Sequence, residues 1–218
     1  MARQDGNAGG EIALILAAER LFAERGIEAV SLRQVNQAAQ HRNISATHYH
    51  FGSKEGLVHA VLMYRLPELD GRRAELLARE TPCPDLRFYL ECFIIPLADQ
   101  LRAAQGGGAY LRFIQQYEKY CGDYDFVRTI SPAGVTIFDG LERLLAFLPE
   151  EVRRFRMGHF INLVHAVFAT VEDRLARGHL SDLDADITAT NLIDMLVGAL
   201  NAPPSKHLFA LIGDVAER

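Results

Sequence analysis

Cysteines are few in this sequence of 218 residues, and a long apolar run is lacking. The three cysteines, Cys83, Cys92 and Cys121, contain no Cys-x-x-Cys pair, which argues against a disulfide scaffold or a zinc cluster and predicts reduced thiols in a cytoplasmic protein. Because no apolar run reaches about 18 residues, no membrane-spanning helix is predicted. The first residues also lack the apolar core of a signal peptide, and residues 1–10 are expected to be a disordered lead-in.

Positive charge is scarce as well. The formal net charge is -5, and residues 1–57 contain as many Asp and Glu residues as Lys and Arg residues, so the negative balance lies in the remainder. This composition excludes a generally basic surface for nucleic acid. Any contact with DNA would have to come from the local placement of a few cations.

Strand-like alternation, internal repeats and catalytic motifs are also absent from the sequence. There is no HExxH, GxSxG or P-loop pattern, and no cysteine lies near a persuasive histidine partner. About half of the residues are apolar, which is enough for a sizeable core. We therefore expect an all-α protein that is not an enzyme and that uses no cofactor.

Three short helices are predicted near the N-terminus. Apolar residues at helical spacing predict a helix over residues 11–25. Ser31 and Gln34 form a capping box that opens a second helix over residues 32–39, and a third helix is expected over residues 44–49. Two short helices joined by a few residues are typical of a helix-turn-helix motif, whose second helix enters the DNA major groove.

The residues of these helices resemble a known family. Ala18–Ala39, AERLFAERGIEAVSLRQVNQAA, and His48–Leu57, HYHFGSKEGL, are similar to the N-terminal DNA-binding domain of the TetR family of transcriptional regulators. The resemblance covers about the first 60 residues, where hydrophobic spacing, capping and an aromatic cluster agree. The sequence departs from the family in a turn without the usual glycine and in His48, which replaces a common tyrosine.

The resemblance implies that the third helix and its flanks contact DNA. Short side chains let a helix approach base edges closely, and imidazole and phenol groups can donate to phosphate oxygens. A lysine at a helix N-terminus adds to a position that already favours an anion. The residues expected to contact DNA are Arg33, Arg42, Ile44, Ser45, Ala46, Thr47, His48, Tyr49, His50 and Lys54.

A metal site is the competing use of the imidazoles in this segment. His48 and His50 are two residues apart, so they face different directions on a helix, whereas Glu55 and His59 share a face. Because a zinc site needs three or four converging ligands, no metal is expected here.

The resemblance also implies two domains, a helix-turn-helix domain over residues 11–57 and a helical effector-binding and dimerisation domain over residues 58–218. A long helix from Lys54 to about Glu80 joins them. In this family the second domain encloses an apolar ligand pocket, although most of its aromatic residues are equally explained as core. The residues expected to line the pocket are Tyr89, Phe93, Phe113, Gln116, Tyr117 and Cys121.

Two further helices, over residues 150–177 and 186–200, are too apolar to be lone surface helices. The resemblance implies that they pair across a two-fold axis and form a homodimer, which would match double-stranded DNA with a near-palindromic operator. The sequence thus predicts a transcriptional regulator, most often a repressor in this family, released by a small apolar effector. An enzyme, or a helical interaction module without DNA binding, remains the alternative.

Overall fold

The computed structural model describes residues 5–40, 46–79, 82–103, 108–121 and 130–216. Over these ranges the secondary structure is helical and includes no strand, as the sequence predicts. None of the helices in these ranges has the length and apolar character needed to cross a membrane. The helices are α1 (Asp5–Arg25), α2 (Leu32–Ala38), α3 (Ala46–Phe51), α4 (Lys54–Leu77), α5 (Leu86–Ala103), α6 (Tyr110–Cys121), α7 (Pro132–Leu144), α8 (Glu150–Ala176), α9 (Asp182–Asn201) and α10 (Lys206–Ala216).

Helices α1, α2 and α3 form the N-terminal domain. The predicted capping box is confirmed, because the backbone N–H of Ser31 donates to Gln34 Oε1 over 2.7 Å and Ser31 Oγ accepts from the backbone N–H of Gln34. Helix α1 begins at Asp5, so residues 5–10 are helical where the sequence suggested disorder.

The ends of α1 and α2 use the left-handed backbone conformation in two different ways. Gly26 follows α1 with a φ of 82°, which glycine adopts without steric cost. After α2, Gln40 has a φ of 53°. A non-glycine residue in this region is uncommon. Residues 41–45, which include the rest of this turn, lie outside the described ranges.

The N-terminal domain is packed directly onto the remainder of the chain. Helix α1 contacts both α4 and α6. The buried ring of Phe22 on α1 stacks on the buried ring of Phe113 on α6, with 6.1 Å between the ring centroids. The apolar core therefore continues from the first domain into the second.

Helix α5 lies at the centre of the second domain, where it contacts α4, α7, α8 and α9. Pro67 and Pro96 lie within α4 and α5 without ending either helix. Pro132 instead occupies the first turn of α7, where its missing N–H costs nothing, after the N-cap residue Ser131.

Two features of the C-terminal region differ from the prediction. Helix α9 begins at Asp182, four residues before the predicted start, because Ser181 and Asp184 form a second capping box. Helix α10 was not predicted from the sequence.

Candidate nucleic-acid interface and buried cavity

An exposed polar and aromatic surface lies on α2 and α3. Tyr49 has 81% of its surface exposed, the largest fraction of any large hydrophobic side chain in the described part of the molecule. His48 and Arg33 are also exposed. The Tyr49 ring lies mostly in solvent and gains little from the core, so it is available for a contact outside the folded chain. We call Arg33, His48 and Tyr49 the exposed head surface.

Thr47 corrects one prediction of a DNA contact. Its side chain is 0% exposed, because α3 packs against α1, α2 and α4 and Thr47 lies on the inner face of that packing. Tyr49, two residues later, lies about 200° further around the helix and faces outward. In this conformation the Thr47 hydroxyl cannot reach a base edge.

His50 and Lys54 make contacts within the domain. The Lys54 ammonium donates to the backbone carbonyl of Glu28 over 2.9 Å, which ties the start of α4 to the segment between α1 and α2. His50 Nδ1 lies 3.7 Å from Glu11 Oε2, and the His50 side chain is largely buried. His50 therefore links α3 to α1, and Lys54 fastens the start of α4, in this conformation.

The remaining residues predicted to contact DNA fall at the edge of the described ranges. Ala46 is the first residue of α3, but its side chain is not described. Arg42, Ile44 and Ser45 lie outside the described residues.

A buried cavity of about 50 Å³ lies in the second domain between α4, α5, α6, α7 and α8. Its walls are mostly aliphatic and aromatic, and three polar side chains, Arg73, Tyr110 and His165, also line it. The described residues around it are Leu62, Leu66, Leu69, Arg73, Phe93, Leu97, Tyr110, Ile114, Ile130, Phe138, Ile161 and His165.

Of the residues predicted for a pocket, Phe93 lines this cavity. Tyr89 does not, because it is packed onto Gly140, where an added Cβ would lie 2.3 Å from the Tyr89 ring, and its hydroxyl accepts a hydrogen bond from Arg143 over 3.0 Å. Phe113 is buried against α1 instead. Bulky aromatic residues at helical spacing serve here mainly as core.

The other predicted pocket residues also lie away from the cavity or outside the description. Tyr117 is buried beside Phe113, with 6.3 Å between the ring centroids. Gln116 Oε1 approaches Gly26, 3.7 Å from the position of an added Cβ. Cys121 ends α6, and its side chain is outside the described residues.

Sequence reasoning missed Arg73, although a signal was present. Arg73 falls at the helical spacing of the buried residues Leu69 and Leu76, so it occupies a position on the apolar face of α4. His165 is a core histidine, since it is buried and its Nδ1 contacts a carboxylate oxygen of Glu118.

A second network of charges fastens the N-terminus of α6. The Glu172 carboxylate accepts hydrogen bonds from the backbone N–H groups of Leu111 and Arg112 over 3.1 and 2.9 Å, and from Arg112 Nε over 3.2 Å. Burial raises the pKa of Glu172, and these hydrogen bonds oppose that rise. The arrangement fixes α6 against α8, so we assign it a structural role.

These features define an all-helical protein with an N-terminal helix-turn-helix domain and a larger helical domain built around a buried cavity. Residues 14–61 match the family described as bacterial regulatory proteins, tetR family. The N-terminal domain belongs to the TetR family, as the resemblance predicted.

Individual relatives agree with this assignment. The chain is 38% identical over 104 residues to the HTH-type transcriptional repressor KstR2 of Rhodococcus jostii (strain RHA1), and the match covers 48% of this chain and 49% of that repressor. The matching segment thus spans about half the length of this relative.

Solved structures extend the likeness to the whole fold. The structure of a TetR-like transcriptional regulator from Rhodococcus sp. RHA1 matches with a TM-score of 0.56 and 17% identity, over 89% of this chain and 97% of that one. NalD of Pseudomonas aeruginosa, the secondary repressor of the MexAB-OprM multidrug efflux pump, matches with a TM-score of 0.50 and 20% identity, over 87% of this chain and 96% of that one. At such identities these neighbours show the shared fold alone.

Proposed function

We propose that this protein is a cytoplasmic, sequence-specific DNA-binding transcriptional regulator that acts as a repressor. The exposed head surface on a TetR-family domain is the observation that carries the proposal. The similarity to a relative named as a transcriptional repressor supports the direction of regulation.

The residues that we propose for DNA binding form three groups: exposed residues of α2 and α3, the segment that leads into α3, and residues that position the helices. Tyr49 and His48 extend from α3, and Arg33 lies on α2, so they are available for base or phosphate contacts. Arg42, Ile44, Ser45 and Ala46 remain proposed contacts from the segment that leads into α3. Lys54 and His50 are proposed to position the helices of the head through their contacts with Glu28 and Glu11. They would contact phosphates only if the domain rearranges and these contacts are broken.

We further propose that two copies associate through α8 and α9. Phe155 and Leu163 are exposed on α8, and Ile187 and Met195 are exposed on α9, at spacings that place each pair on one helix face. A two-fold dimer built on these faces would present two heads to a near-palindromic operator.

Release by an effector would act through α4. This single helix starts at the end of the head with Lys54 and provides Leu62, Leu66, Leu69 and Arg73 to the cavity wall. We propose that residues 11–57 bind DNA and that residues 58–218 bind the effector and dimerise. A ligand that enlarges the cavity would shift α4 and change the spacing of the two heads.

Replacement of Tyr49 or Arg33 by alanine is expected to weaken duplex binding by about tenfold or more. A direct contact to a base contributes about 1–3 kcal/mol, and each 1.4 kcal/mol corresponds to a factor of about ten in affinity. Fluorescence anisotropy with a labelled duplex over a series of salt concentrations measures the effect. Binding by the unmodified protein should fall steeply as salt increases.

Matched controls separate the head surface from general effects of the substitutions. Tyr64→Ala removes a partly exposed tyrosine from α4, and Arg174→Ala removes an exposed arginine from α8. Both should leave duplex affinity within about twofold, since neither lies on the exposed head surface. If the unmodified protein ignored duplex DNA at low ionic strength, the protein would be a helical interaction module and the proposal would be wrong.

A further inference from the structure

The cavity contains a charge that the apolar core does not explain. Arg73 is 4% exposed and lines the cavity beside Leu66, Leu69 and Phe93. Removing a guanidinium from water is costly unless the charge is paired and its donors are hydrogen-bonded. An arginine that serves only as filler at this position would be replaced without loss by an apolar residue.

The partners of Arg73 leave part of this cost uncompensated. Arg73 Nη1 donates to Ser131 Oγ over 3.3 Å, and the guanidinium carbon lies 4.8 Å from the centroid of the Phe93 ring. Among the described residues, the buried Nε has no hydrogen-bond partner. A buried donor without an acceptor is rare in folded proteins and calls for an explanation.

The carboxylate closest in sequence is occupied elsewhere. Asp70 accepts hydrogen bonds from Ser131 Oγ and, over 3.4 Å, from the backbone N–H of Ala133, so it caps the start of α7. Among the described residues, no carboxylate lies within ion-pair distance of the Arg73 guanidinium. His165 faces the same cavity, but its Nδ1 is held by Glu118.

Burial lowers the pKa of Arg73, and attraction to Tyr110 and Asp70 only partly opposes this effect. A lowered pKa means that the surroundings disfavour the charged guanidinium, although an arginine side chain stays protonated in proteins. A negative group placed in the cavity would relieve this penalty. The field inside the cavity therefore favours an anion.

We propose that the cavity binds a compact organic acid, with its carboxylate on Arg73 and its apolar body against the aliphatic and aromatic walls. The Nε edge of a guanidinium forms two parallel hydrogen bonds to a carboxylate, and Nη1, which contacts Ser131, is not part of that edge. The role of this acid as the effector rests on the proposed function, whereas its binding does not.

The cavity volume limits the size of a ligand that can enter without rearrangement. About 50 Å³ corresponds to a few water molecules at roughly 10–15 Å³ each. A carboxylate group fits this space, but an attached ring or chain must spread the helices that enclose it. Because α4 carries Arg73 together with Leu62, Leu66 and Leu69 of the cavity wall, the acid would move the helix that leads to the head.

The test measures ligand binding by the full chain without DNA. Octanoate, benzoate and cyclohexanecarboxylate, each paired with its primary amide, are titrated into the protein by isothermal calorimetry. At least one acid should bind ten or more times as tightly as its amide, because only the acid carries the charge that Arg73 recognises. Equal affinities for acid and amide, or no binding by any acid, would overturn the proposal.

Variants then assign the preference to Arg73. Arg73→Met should abolish the difference between acid and amide, whereas Arg174→Met, which removes an exposed charge from α8, should preserve it. If Arg73→Met does not fold, the comparison of acid with amide in the unmodified chain still tests whether the protein prefers the charged ligand. Duplex affinity is measured separately: acid binding without an effect on DNA would contradict the effector role alone.

Discussion

Arg65→Met is expected to lower the free energy of unfolding by about 3 kcal/mol, near the lower end of the usual cost of breaking a buried ion pair. Arg65 on α4 donates from Nε and Nη2 to the two carboxylate oxygens of Glu19 on α1, over 2.9 and 3.2 Å. Glu19 is only 2% exposed, so the substitution leaves a buried carboxylate without its charged partner. Chemical denaturation followed by circular dichroism measures the change.

The double variant Glu19→Gln, Arg65→Met is the informative control for this experiment. It removes both charges, so most of the lost stability should return if the uncompensated carboxylate is the cause. If Arg65→Met changed the free energy of unfolding by less than about 1 kcal/mol, the ion pair would not join the head to α4 in solution.

Phe113→Ala is expected to lower the free energy of unfolding by about 3–5 kcal/mol, the usual cost of truncating a phenylalanine in a packed core. Phe113 is fully buried and stacks on Phe22 of α1, so its removal opens a void between the two domains. Thermal and denaturant unfolding measure this loss.

Phe147→Ala provides the matched control for Phe113→Ala. Phe147 has 59% of its surface exposed, and its truncation should change stability by no more than about 0.5 kcal/mol. A similar stability for Phe113→Ala and the unmodified protein would contradict a continuous core between α1 and α6.

Local signals in the sequence predicted much of the helical framework. The capping box at Ser31 and the glycine at position 26 lie at the bounds of α2 and α1, because caps depend on residues that are neighbours in the chain. The start of α9 was placed too late because the capping box at Ser181 was overlooked. This error could have been avoided, because Ser181 and Asp184 are visible in the sequence as a capping box.

Tertiary packing explains the predictions that failed. Hydrophobic spacing could not show that α3 turns Thr47 inward, since that face is decided by contacts with α1, α2 and α4. Tyr89, Phe113 and Tyr117 were expected to line a ligand pocket, but they pack against neighbouring residues of the core. Arg73 on the apolar face of α4, which sequence reasoning missed, does line the cavity.

The most direct test of the DNA-binding account is selection of bound duplexes from a random DNA pool by the purified full chain. The account predicts enrichment of an inverted repeat, because two heads related by a two-fold axis would each contact one half-site. Tyr49→Ala should abolish that enrichment, whereas Tyr64→Ala should retain it. Recovery of unenriched sequences by the unmodified protein would contradict the central claim that the exposed surface of α2 and α3 recognises an operator.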